Sequence, residues 1–281
     1  FLLVAGDLVN GWFRNGGTAY STQYANWKAA MMPVYRAGIR VYPIRGNHDA
    51  GPERTVLPPL SAHLEPPPGS LDLLREAFVK AFSEPYLPKN GPSGKEEAFT
   101  YGFTHKNAFI VALDQFGSHE HTIHQAWLDR QLSENRKSHV FAFGHEPAFQ
   151  IRHKDCLAFY PQASDAFWDS IGRAGARVYF CGHDHLYNRA EIPDIAGNPV
   201  WQVVAGTGGG RLVPWSGTYP EGSRVKGVYS DSDHHGYLLV TVKDSTVTIE
   251  WKALVGNTES GMWKTLDSFT YTVVPGSEGV P

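Results

Sequence analysis

Cysteine is nearly absent. Cys156 and Cys181 are the only two in 281 residues, too few for a disulfide framework and without the paired spacing of a zinc finger, so at most one bridge is left open. No apolar run approaches the roughly 18 residues of a membrane span. Residues 1–10 show neither a basic leader nor a small-residue cleavage site. An excess of positive charge is also missing: 25 Lys and Arg face 28 Asp and Glu, a formal charge of −3. That provides no field for a nucleic-acid backbone and no polybasic membrane patch. The glycine-rich stretch 206–210 lacks the Lys-Ser/Thr that completes a phosphate-binding P-loop. No serine elbow and no His-x-His-x-Asp-His motif appears, which weakens a reading as mono-metal hydrolysis of carboxylic esters or amides. Sparse lysine and many aromatic residues are compatible with export, to the cell exterior or the periplasm.

With 42% hydrophobic residues, 29 Gly and 19 Pro, the chain reads as globular with many turns, and its length suffices to bury a substantial core. Residues 1–281 show no repeat and no linker rich enough to divide them, so one domain is expected. The pattern predicts a strand over 1–6, a helix over 21–37 interrupted by Pro33, and a returning strand in "IRVYPIRGNHD". A strand, helix and strand in that order predict a parallel pair with a right-handed crossover. Further on come an irregular proline-rich stretch over 50–70, a helix over 71–83, a hairpin around "HKN", and helices in "TIHQAWLDRQLSEN" and "ASDAFWDSIGRAG". Strands are expected at "HVFAFGHEP" and "ARVYFCGHDH", followed by a tail that is mostly β. Trp127, Trp168 and Trp201 fall in periodic apolar segments and are expected in the core.

Thirteen histidines are the unusual count, and their placement matters more than their number. Four times an apolar strand ends in a short polar signature: "LLVAGDLVN", "VYPIRGNHD", "FAFGHEP" and "VYFCGHDH". Asp7, Asn47, His145 and His183 are oxygen and nitrogen donors at successive strand ends, each preceded by glycine, with His48 and His185 close by. Oxygen and imidazole donors without thiolates suit Zn, Mn or Fe rather than a structural cysteine-rich zinc site. Taken singly, each has an ordinary reading as a turn, a cap or a hydrogen-bonded polar residue.

Taken together and in order, "GDLVN", "GNHD", "GHEP" and "GHDH" resemble four of the five sequence blocks of the calcineurin-like metallophosphoesterase family. They span residues 6–185. The resemblance implies a four-layer α/β/β/α sandwich and two divalent or trivalent transition metal ions, Mn, Zn or Fe, acting on a small-molecule phosphomonoester or phosphodiester. It would make Asp7 the bridging ligand, would assign Asn47, His145 and His183 to one ion, and would assign His185 to the other. His48 would face the phosphate as proton donor. Asn10 would stand near it, its carbonyl accepting the imidazole N–H, and Asp49 would support the site or cap its turn. Asn10 occupies the place of the tyrosine ligand of purple acid phosphatases, which argues against their charge-transfer iron site.

The fifth block, Asp-x-His on the first strand, is expected upstream of Phe1. The chain as given is therefore read as lacking the first strand, with one ion held firmly and the second weakly or not at all. His119, His121, His234 and His235 are read as solvated loop histidines. Arg54, Arg211 and Trp215 are candidate substrate contacts on the two long loops, 51–70 and 206–235. The alternative to phosphoester hydrolysis is a catalytically impaired metal-binding or scaffold protein on the same fold.

Overall fold

The computed structural model describes residues 1–11, 20–51, 70–82, 87–94, 97–117, 119–257 and 260–273. Leu2–Val4 form strand β1, and Val41–Pro43 form β2, which pairs with it in parallel. Among the described residues the connection holds two helices, α1 (Tyr20–Ala30) and α2 (Met32–Arg36), where one was expected. Pro33 lies in the first turn of α2, where its missing N–H costs no hydrogen bond. The strand expected to run through "GNHD" stops at Pro43, and Asn47–Ala50 instead fold into a one-turn helix, α3. The Asp49 carboxylate nucleates that turn by accepting the Gly46 N–H at 2.8 Å. Helix α4 is Ser70–Phe82.

The expected hairpin forms from β3 (Tyr101–His105) and β4 (Ala108–Ala112), its turn opening on Lys106 at φ 53°. Next come α5 (Gln125–Glu134), β5 (His139–Phe143), a short 3-10 helix at Leu157–Phe159, α6 (Pro161–Arg173) and β6 (Val178–Cys181). The tail contributes β7 (Tyr187–Pro193), β8 (Pro199–Ala205), β9 (Lys226–Asp231), β10 (Gly236–Lys243), β11 (Thr246–Val255) and β12 (Met262–Thr272). Part of the loop expected over 206–235 is therefore a strand, β9, paired with β7.

The large central sheet has seven strands in the order β3-β4-β5-β6-β8-β7-β9. Its middle strands β4, β5, β6 and β8 are parallel. Alternation along them divides the core in two. Ile110, Phe141, Phe143, Val178 and Phe180 face one cluster, which also holds Tyr24 of α1, Phe78 of α4, Tyr42 of β2 and Trp251 of β11. Phe109, Val111, Val140, Ala142 and Tyr179 face the other, with Trp127 of α5 and Trp168 of α6. Trp127 and Trp168 are buried, and Trp201 packs half-buried on the first cluster. The class is the mixed α/β architecture expected. The second β layer comprises two separate sheets, β1-β2 and the antiparallel β10-β11-β12. Both cysteines are buried and free. Among the described residues no helix is long and apolar enough to cross a membrane.

Candidate functional site

The carboxyl ends of β1, β2, β5 and β6 carry Asp7, Asn47, His145 and His183, where the loops of open parallel sheets gather ligands. His145 Nε2 lies 3.0 Å from Asn47 Oδ1 and 3.6 Å from Asp7 Oδ1. His183 Nδ1 lies 3.2 Å from Asn47 Oδ1 and 3.2 Å from His145 Nε2. Donor atoms about 2.0–2.2 Å from an ion, at tetrahedral or octahedral angles, stand about 3 to 3.5 Å apart. Asn47, His145 and His183 have that spacing, and Asp7 stands slightly farther out at 3.6 Å from His145 Nε2.

Proton placement at His145 points the same way. Its Nδ1 lies 2.6 Å from the Ala5 carbonyl, which can only accept, so the proton is on Nδ1 and the Nε2 lone pair faces Asp7 and Asn47. This bond also ties β5 to β1 across the two sheets. Burial pushes the His145 pKa down to about 4, so the ring is neutral near pH 7. At His183 burial acts in the same direction but is outweighed by Asp155, Glu146 and Asp184, which hold its pKa up at about 9. The Asp7 carboxyl is pushed up by burial, yet His145 and His48 bring it below the usual value. Lone pairs of His145 and Asn47 crowded beside a carboxylate favour a positive charge among them, a proton or a cation. The donor set therefore fits a borderline metal ion. Among the described residues no three His, Cys, Asp or Glu side chains form such a group by themselves; the Asn47 amide is the member that joins the others.

The backbone is bent to make this meeting possible. Asp7 and His183 have φ of 56° and 67°, uncommon for residues with a Cβ, although Asp and His are among those that adopt it more often. At Gly46 a Cβ would collide with Asp7 Oδ1 and come within 2.7 Å of His145 Cε1, so glycine is required there for space. His48 donates its backbone N–H to Asp7 Oδ1 at 3.0 Å, and its Nδ1 faces the Asn10 backbone carbonyl at 3.1 Å. That carbonyl holds the proton on Nδ1 and leaves Nε2 to face outward. Asp49 accepts N–H groups from Gly46 and, at 3.2 Å, from Leu8, tying the two loops together. Burial, then the nearby Asp7 charge, push its carboxyl up to about 7.

His185 makes its hydrogen bond outside this group. Its Nδ1 donates to the Arg211 carbonyl at 2.9 Å, and among the described residues no hydrogen bond or ion pair links it to Asp7. Arg211 is exposed. Trp215 is half-buried and spends its indole N–H on the Ile151 carbonyl at 3.1 Å. Arg54 lies outside the described residues. His121, read as a solvated loop residue, is instead 5% exposed and 2.8 Å from the buried Glu146 carboxylate, because the loop turns inward at φ 59°.

Two groups of supporting residues were not singled out from the sequence. Gln115, just past β4, accepts the backbone N–H groups of His145 and Glu146 at 2.7 and 2.6 Å, which fixes the loop carrying His145. The loop over 150–156 brings Asp155 to 3.5 Å from His183 Nε2 and the His153 ring to 4.7 Å from the His183 ring. Only the polar "HKD" in that loop signalled either residue.

The chain resembles PhoD, with a TM-score of 0.70 at 14% identity over 97% of this chain and 64% of that one. Purple acid phosphatase PPD1 from yellow lupin (Lupinus luteus) seeds follows at TM-score 0.66 and 17% identity, over 96% of this chain and 46% of that one. GAP50, the anchor in the inner membrane complex of Plasmodium, is similar at TM-score 0.50 and 13% identity, over 84% of this chain and 67% of that one. The chain thus spans less than two thirds of PhoD and about half of the lupin enzyme. At these identities the structures share a fold with it. No curated protein sequence matches. The family model for calcineurin-like phosphoesterases matches residues 1–187, two thirds of the sequence, and the chain belongs to that family.

Proposed function

We propose that the chain hydrolyses small-molecule phosphoesters with water activated at a metal ion held by Asp7, Asn47, His145 and His183. The observation that carries this reading is the meeting of four donors from four strand ends within 3.0–3.6 Å of their neighbours. A bound Zn, Mn or Fe ion would supply Lewis acidity, bringing the ionisation of water from a pKa of 15.7 to about 7 and drawing charge from a phosphoryl oxygen. The amide of Asn47 adds a donor without adding charge, so the position remains cationic enough to attract phosphate. His48, braced by Asn10, presents Nε2 toward the reacting group and, when protonated, delivers a proton to the leaving oxygen. Arg211 and Trp215 border the neighbouring loop and would contribute to substrate recognition; Arg54 belongs to the same expectation.

The contacts among Asp7, Asn47, His145 and His183 support one donor set, and no hydrogen bond or ion pair among the described residues joins His185 to Asp7. These contacts support one tightly held ion per chain. The test is to strip the purified chain with a chelator, restore Mn²⁺ or Zn²⁺, and follow generic phosphomonoesters and phosphodiesters against a metal-only control. Turnover that depends on metal and is lost in His145→Ala supports the reading. A chain that binds one ion yet yields no product above control would instead favour a metal-binding scaffold. Two tightly held ions would overturn the one-ion assignment.

A further inference from the structure

Asp155 lies behind the donor cluster, on the side of His183 that faces away from Asn47. The inner nitrogen of His183, Nδ1, is 3.2 Å from Asn47 Oδ1, and the outer nitrogen, Nε2, is 3.5 Å from Asp155 Oδ2. Nε2 is buried and makes no hydrogen bond among the described residues, so the Asp155 carboxylate meets it as a charge contact. A neutral imidazole carries one proton, and the partner of one nitrogen decides which nitrogen keeps it. A carboxylate can only accept, so Asp155 draws the proton toward Nε2, against Asn47 Oδ1 and the His145 lone pair, which accept at Nδ1 at 3.2 Å until an ion takes the place of that proton.

The loop bearing Asp155 is not free to drift. Asp184 is fully buried, and its carboxylate accepts the backbone N–H groups of Arg152 at 3.3 Å and His153 at 3.1 Å. The same carboxylate lies 2.9 Å from His153 Nδ1. Trp215 adds a fourth tie through the Ile151 carbonyl. The residue between the two histidines of "GHDH" thus fastens the loop that backs the first of them.

We propose that Asp155 is a positioning residue for the ion: it favours the His183 tautomer that frees Nδ1 and raises the basicity of the nitrogen that meets the metal. The inference rests on the reading above that His183 is a ligand. Outer carboxylates of this kind are worth about 10- to 100-fold in metal affinity.

The experiment measures Zn²⁺ affinity of the full chain by competition with a chelating dye, for wild type, Asp155→Ala and Asp155→Asn. Asp155→Ala should bind about 10- to 100-fold more weakly, with Asp155→Asn in between, because its amide oxygen still accepts the N–H without the charge. Nitrogen-15 histidine spectra of the metal-free chain, recorded where His183 is neutral, should show a larger Nε2–H fraction in wild type than in Asp155→Ala. Equal affinity and equal tautomer in all three proteins would overturn the proposal. So would an affinity loss accompanied by a matching fall in the melting temperature of the metal-free variant. A wild-type chain that takes up no Zn²⁺ would defeat the metal reading, while the tautomer spectra would still decide the role of Asp155.

Discussion

Arg45 and Asp114 form a two-pronged ion pair, Nε to Oδ1 at 2.9 Å and Nη2 to Oδ2 at 2.5 Å, with side chains 2% and 1% exposed. The guanidinium also lies over the Phe99 ring at 3.8 Å and donates to the Phe116 carbonyl. Arg45 immediately precedes Gly46 and Asn47, so the pair holds the start of the loop that supplies one donor. Removing one partner strands a buried charge. Asp114→Ala should therefore lose about 3–5 kcal/mol, read as a lower urea midpoint of the metal-free chain. The double variant Arg45→Met with Asp114→Leu should regain most of that loss, though not all, since the Phe116 carbonyl remains without its donor. A double variant no more stable than Asp114→Ala would show that the pair does not act as a unit.

The signatures ending β1, β2, β5 and β6 were legible because each joins an apolar run to a glycine and a donor, and such runs fix where a strand stops. Asp114 and Gln115 end β4 in the same way, but "ALDQ" has no glycine or histidine and reads as the close of a hairpin. Strand β9 was hidden for another reason. Its residues are largely exposed on both faces, so no alternation marks it, and only the distant pairing with β7 makes it a strand. Asp155 and His121 sit in irregular loops, where direction depends on backbone angles that local sequence does not set. The division of the second β layer into two sheets follows from non-local pairing and leaves no periodic trace.

His48→Ala should separate proton donation from metal holding. The bond from residue 48 to Asp7 uses the backbone N–H, so it survives loss of the ring. Turnover should fall by ~10²–10⁴, the usual scale for a general acid, with metal affinity unchanged by the same dye competition. Activity at the wild-type level would remove His48 from the mechanism, and a parallel loss of metal would make its role structural.

Gly46→Ala and Gly38→Ala should fail in different ways. Gly46 has φ −105°, open to alanine, but its Cβ would strike Asp7 Oδ1 and the His145 ring. Metal affinity should drop at least tenfold, with about 1–3 kcal/mol of overpacking cost. Gly38 has φ 73° and nothing within 4 Å of an added Cβ. There the cost should be backbone strain alone, about 1–2 kcal/mol, with metal affinity intact. Equal metal affinity in both variants would mean that the close approach at Gly46 does not shape the donor cluster.

The two thiols should be silent in the native protein. Cys156 and Cys181 are each 1% exposed. Burial pushes the Cys156 thiol up to about 12 and the Cys181 thiol well above its ordinary value. The reactive species is the thiolate, so both position and ionisation oppose attack. A colorimetric disulfide reagent at pH 8 should release almost no product from folded protein and two equivalents once denaturant is added. Prompt release of one equivalent without denaturant would show that the segment around Cys156, which follows Asp155 directly, opens in solution, and the loop behind His183 would then be less firmly fastened than Asp184 and Trp215 make it.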